Sequence, residues 1–241
     1  MQPKQPAPDV DFHAFAEQFL LAGGGTPVEE LLPKTKGRKR ADIAFPDARV
    51  VIEIKSIIND RTIDPAVQEA MNKLLVEKGP AMGGPIIFGT VNVEIASLPE
   101  KLARNAYRLL AQRVQKEVTT ANRQLRETVE DMGWMDAQGI LLIIAPPMGI
   151  NMHLIGWAVA DALREGRNSN VQGLIMIECD APDDLTRNLN TTFSAINEVP
   201  IRPQIVDAFR QAVRVLFRRE PIGPLSGEET EEAFFQRYKS P

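Results

Sequence analysis

The sequence predicts an α/β domain in which a mixed central sheet is flanked by helices. Two short apolar runs, "ADIAF" and "VVIEIKSI", are separated by the turn-forming "PDAR", the pattern of a β-hairpin. Further on, "AQGILLIIAPP" and "VQGLIMIEC" are near-continuous apolar runs with the helical pattern "HLIGWAVADALREG" between them, the order of a parallel strand pair covered by a helix. The stretch from Leu98 to Trp134 has no proline after Pro99 and no glycine before Gly133, and reads as a long helix.

The remaining elements follow in chain order. The first dozen residues hold three prolines and predict a loose arm. Phe12, Phe15, Phe19 and Leu20 fall at helical spacing in "DVDFHAFAEQFLLAGGG", and its closing glycines stop the helix. A basic loop, "KTKGRKR", leads into the hairpin. Residues 59–97 combine a helical "DPAVQEAMNKLLVEK", a loop "GPAMGGP" and a strand-like "IIFGTVNVEI", and read as a helical insertion. The last helix is "PQIVDAFRQAVRVLFRRE", and residues 221–241 read as a mobile or partner-docking tail. The chain is thus read as one domain, with its core at about 10–60 and 98–180 and a C-terminal helix and tail at 200–241.

Hydrophobic residues make up 44% and charged residues 25%, an ordinary globular balance that excludes a disordered or fibrous chain. No apolar run approaches the roughly 20 residues of a spanning helix. The start lacks the apolar stretch of a secretory signal, and the lone Cys179 cannot form an internal disulfide, so a cytoplasmic setting is expected. A net charge of −4 argues against coating of nucleic acid by bulk charge and turns attention to local clusters.

The chemistry concentrates in the hairpin. Side chains alternate along a strand, so Val51, Glu53 and Lys55 share one face and Ile52 and Ile54 the other. A two-residue or a four-residue loop pairs Phe45 with Val50 and puts Asp42 opposite Glu53, whereas an odd loop breaks that pairing. Opposed carboxylates have Cβ atoms about 5 Å apart and repel each other. A divalent cation, Mg²⁺ or Mn²⁺, compensates them well, and Lys55 beside it could orient a water or stabilise phosphate charge. The plain alternative is a surface ion network in which Lys55 neutralises one acid.

These residues, "AD" at 41 and 42 followed after ten residues by "EIK" at 53 to 55, resemble the PD-(D/E)XK, or restriction-endonuclease-like, nuclease superfamily. The resemblance implies a restriction-endonuclease-like core in which Asp42 and Glu53 ligate metal and Lys55 serves the attacking water. Ala41 replaces the proline of the motif. It also implies an acid from the preceding helix, for which Glu17 is the candidate, and a glutamine facing the site, for which Gln124 in "ANRQLRET" is the candidate.

Nucleic-acid contacts are expected from two cationic groups. The first is the loop, with Lys34, Lys36, Arg38, Lys39 and Arg40. The second is a stripe about 120° wide on the long helix, comprising Lys101, Arg104, Arg108, Lys116, Arg123 and Arg126, with Arg113 outside it. Tyr107, Leu110, Val114, Val118, Ala121, Leu125 and Val129 form the adjoining face, expected to be buried. A solvated helix face is the plain reading of such charges, and a track for phosphates the functional one.

Other features are set aside. His13 is expected at a helix surface, and two histidines without a cysteine cluster give no zinc site. The acids of "ECDAPDD" read as a capped loop rather than a second metal site, and "GGG" lacks the Walker lysine pattern. The expected function is Mg²⁺- or Mn²⁺-dependent hydrolysis of DNA, with RNA not excluded and a homodimer plausible. The rivals are a nucleic-acid-binding protein without catalysis and an oligomeric scaffold.

Overall fold

Short runs of β-branched and aromatic residues pack well on a pleated surface, and among the described residues the strands assemble into one six-stranded sheet. The computed structural model describes residues 11–57, 64–85, 94–145, 152–179, 189–218 and 229–239. The strands are β1 (Thr26–Pro27), β2 (Ile43–Phe45), β3 (Val50–Ser56), β4 (Gln138–Ala145), β5 (Gly173–Cys179) and β6 (Leu189–Ala195), lying side by side in chain order. β1, β2 and β3 pair antiparallel, β3, β4 and β5 pair parallel, and β6 closes the far edge antiparallel to β5. This is the mixed sheet that the sequence predicts.

The hairpin takes the four-residue loop. Phe45 pairs with Val50 and Ile43 with Ile52, while Arg49 closes the turn at a φ of 46°. The parallel partner β4 then fixes β3 from the other side, with Glu53 opposite Leu141 and Lys55 opposite Ile143.

Helices cover both faces. The helices are α1 (Phe12–Ala22), α2 (Val28–Leu31), α3 (Pro65–Lys73), α4 (Glu100–Met132), α5 (Met152–Leu163), α6 (Pro203–Phe217) and α7 (Glu231–Arg237). One core joins Ile43, Ile52, Ile54, Ile140 and Leu142 of the sheet to α1 and α6. Phe19 of α1 and Phe193 of β6 both meet Phe209 of α6 there, ring edge to ring face. The opposite core packs Val51, Leu141, Ile143, Leu174 and Met176 against α4 and α5. Each such side chain, fully buried, contributes about 1.5–3 kcal/mol.

Local sequence explains the helix ends that position the site. Asp11 caps α1, its carboxylate accepting from the Ala14 amide at 3.0 Å. Gly23 ends α1 where a Cβ would lie 2.6 Å from the Ala208 carbonyl oxygen, so glycine permits α1 to lie against α6. α4 ends at Gly133, which adopts the left-handed conformation at φ 66°.

Two expectations are corrected, and one strand is added. The sequence pattern does not predict β6, because "LNTTFSA" carries polar residues at most positions and gains its place by pairing with β5. The tail reading fails for residues 229–239: α7 buries Phe234 and Tyr238, and Tyr238 sits so close to Gly156 that any Cβ there would touch its ring. The buried face of α4 is rotated from the expected one, leaving Leu110 half-buried and taking Gln124 and Thr128 inward. In the insertion, α3 runs into a π-helical turn at Leu74–Lys78, and Leu74 and Leu75 pack on Leu102 and Ala106 of α4. Most of "IIFGTVNVEI" and Asp180, Asp183 and Asp184 lie outside the described residues. Among the described residues, no helix is long and apolar enough to cross a membrane.

Candidate active site

The site forms where β2 leaves the sheet. Extending the hairpin register by one pair puts Asp42 opposite Glu53. At that point the Asp42 carboxylate accepts from the Ile54 amide at 2.7 Å, taking the place of a backbone acceptor. Asp42 is therefore held by the sheet itself.

Glu53 is buried, with only 1% of its side chain exposed. Lys55 Nζ lies 2.6 Å from Glu53 Oε1, whereas Glu53 Oε2 has no hydrogen-bond partner. Burial, and next the charge of Asp42, push the Glu53 carboxyl up to about 8, against the pull of Lys55. Burial also raises Asp42, although the Ile54 amide, His13 and Lys55 oppose it. With both acids ionised one buried oxygen is orphaned, and a proton or a cation between the carboxyls removes that deficit.

Lys55 is fixed from the helix side. It donates to Gln124 Oε1 at 3.3 Å, and Glu117 Oε2 lies 3.7 Å from its ammonium. Gln124 Nε2 donates in turn to the Arg40 carbonyl at 2.9 Å. The geometry thus brings together Asp42, Glu53, Lys55 and Gln124, four of the expected residues. Among the described residues no group of three or more His, Cys, Asp or Glu side chains has metal-ligand geometry, so protein donors to a cation here are the Asp42 and Glu53 pair. Hard carboxylate oxygens with an unsatisfied buried atom fit Mg²⁺ or Mn²⁺, ions that keep several sites for water and phosphate oxygens.

Glu17, the fifth candidate, does not join this network. It lines a cavity of about 470 Å³ that opens beside Ala41 and Asp42. Two further residues reach the site. His13 sits on the surface of α1 as expected, its side chain 41% exposed, and its Nε2 also stands 3.7 Å from Asp42 Oδ1. Glu117 lies seven residues before Gln124, two helical turns away on the same face, and that spacing was a readable signal. His13 left no such signal, because only the docking of α1 brings it to Asp42.

The basic loop is anchored rather than free. Asp131 pairs with Arg38 and, at 3.0 Å, with Arg40. The Lys39 amide donates to Glu127 at 3.2 Å and the Ala41 amide to Thr128 at 2.8 Å. Residues 124, 127, 128 and 131 thus make one polar seam on α4 that holds the chain from Arg38 into Asp42. Lys34 lies 3.9 Å from Glu29, and Lys36 and Lys39 expose their side chains.

On the stripe, four cations face acids: Arg104 with Glu100, Arg108 with Asp161, Arg123 with Glu127 and Arg126 with Glu130. Lys101 and Lys116 are exposed, with no ion pair among the described residues. Compared with family models, with curated proteins and with solved structures, the chain finds no match.

Proposed function

We propose that the chain is a metal-dependent nuclease of the PD-(D/E)XK type that hydrolyses DNA phosphodiester bonds. The observation that carries this reading is the buried Asp42 and Glu53 pair with Lys55 held beside it by Gln124. A structural ion pair needs one acid and one base. Here a second acid is added at the cost of an orphaned oxygen, an arrangement that suits a functional site better than a stabilising one.

Asp42 and Glu53 would hold Mg²⁺ or Mn²⁺, which supplies Lewis-acid activation of water and neutralises charge on the phosphate. Lys55 has three donors, and Glu53 and Gln124 occupy two of its directions. The remaining donor can orient a water or contact a phosphate oxygen as negative charge builds there. Gln124 and Glu117 keep the ammonium in place, and the Ile54 amide fixes the Asp42 carboxylate.

The test is hydrolysis of end-labelled single-stranded and duplex DNA with Mg²⁺ or Mn²⁺, comparing the wild type with Lys55→Ala and Asp42→Ala. Circular dichroism checks that the variants fold. Cleavage by the wild type alone is the expected result, and full activity in Lys55→Ala removes the central claim.

A further inference from the structure

The cavity beside Asp42 bears on which phosphodiesters the site accepts, a question that rests on the nuclease reading. Its volume of about 470 Å³ lies in the range of roughly 300–1,000 Å³ that encloses one small molecule. α1 contributes Glu17 to its wall, α2 contributes Glu29, and the basic loop contributes Lys34 and Arg38.

Charge decides between a long polyanion and a short one. Three carboxylates, those of Glu17, Glu29 and Asp42, line the cavity with three cations, Lys34, Arg38 and Arg40, so the lining is balanced. Arg38 shares Asp131 with Arg40 but is 41% exposed against 13% for Arg40, and Lys34 stands 3.9 Å from Glu29 and is 91% exposed, so Lys34 and Arg38 are the cations that a ligand reaches. Binding of a continuous phosphate backbone needs a run of uncompensated cations. With as many carboxylates as cations in its lining, this cavity offers no such run and suits one phosphate rather than a row of them. The polar groups also match a nucleotide: cationic side chains donate to phosphate, and carboxylates accept from base amino groups and sugar hydroxyls.

We propose that this cavity is a subsite for one terminal nucleotide of a single DNA strand, so that hydrolysis proceeds from strand ends. In each turnover the oxygen of water bonds to phosphorus as the bond from phosphorus to the bridging sugar oxygen breaks. That sugar oxygen takes up a proton, the water loses one, and a nucleoside monophosphate leaves.

Two measurements test this. The first is titration of deoxycytidine monophosphate, whose base carries an amino group, into the wild type, Lys34→Glu and Lys73→Glu by calorimetry, with and without Mg²⁺. Saturable binding is expected, weakened about tenfold or more in Lys34→Glu and unchanged in Lys73→Glu. Absence of binding, or equal binding by Lys34→Glu, overturns the proposal. The second compares a linear single strand with a covalently closed single-stranded circle. Degradation of the linear strand alone supports the proposal, and equal cleavage of the circle overturns it while leaving the nuclease reading intact. Nucleotide binding sensitive to Lys34→Glu, with no cleavage of any DNA, supports the nucleotide subsite and removes the nuclease reading.

Discussion

Lys55 Nζ lies 2.6 Å from Glu53 Oε1, yet the other oxygen of that buried carboxylate receives no hydrogen bond. The ion pair is therefore half-satisfied, and the pH dependence of stability follows. The Glu53 carboxyl, pushed up to about 8 from an ordinary 4.5, keeps in the folded chain a proton that the unfolded chain loses. Its contribution is complete below the lower value and is lost as pH rises toward the upper one. The slope approaches about 1.4 kcal/mol per pH unit within that window. We predict that urea midpoints of the wild type fall from about pH 5.5 to about pH 8, and that Glu53→Gln flattens the dependence. An equal slope in the variant would assign the effect to other groups.

A cation at this pair competes with the proton, so its effect on stability should grow as pH rises. We predict that Mg²⁺ or Mn²⁺ raises the Tm of the wild type more at about pH 8 than at about pH 6. The gain is about 1.4 kcal/mol when the ion is at about ten times its Kd. Asp42→Asn should lose this gain in differential scanning calorimetry, and retention of it there would place the ion elsewhere.

Gln124 connects the lysine to the backbone that carries Asp42. Its replacement by leucine keeps the volume but leaves the Arg40 carbonyl without its donor and Lys55 without one acceptor. We predict a loss of about 1–3 kcal/mol in urea denaturation. Cleavage should fall at least about tenfold, with DNA affinity unchanged, since positioning rather than binding is removed.

Much of this arrangement was legible in the sequence. The even loop and the alternation in "VVIEIK" set Asp42 against Glu53 and put Lys55 on their face, because strand parity leaves few alternatives. Gln124 was legible only through the resemblance, since a polar residue at the border of a helical face can turn either way. The clamp on the basic loop was not legible: Asp131 lies 91 residues from Arg40 in sequence, and only the packing of α4 beside β3 brings them together. The same holds for α7, whose two buried anchors, Phe234 and Tyr238, sit in a short segment with charged residues on both sides.

That clamp makes its own prediction. Asp131 is 17% exposed and accepts from both Arg38 and Arg40, so Asp131→Ala leaves two guanidinium groups without their carboxylate. We predict a loss of about 1–3 kcal/mol. Trypsin should cut after Arg38 or Lys39 faster in the variant than in the wild type. Unaltered proteolysis would mean that Glu127 and Thr128 hold the loop without Asp131.

The basic stripe has to be divided before it is tested. Arg104, Arg108, Arg123 and Arg126 already face carboxylates, and a phosphate must compete with those partners to reach them. Lys101 and Lys116 are exposed and carry no such competition among the described residues. If DNA runs along α4, changing both lysines to glutamine removes two phosphate contacts. The slope of log K against log salt should then decrease by about 2. Exchanging Arg123 and Glu127 for each other keeps the local charge sum and should leave the slope nearly unchanged. An unaltered slope in the lysine variant would confine DNA contact to the Asp42 side of the molecule, where Lys34 and Arg38 supply the cations.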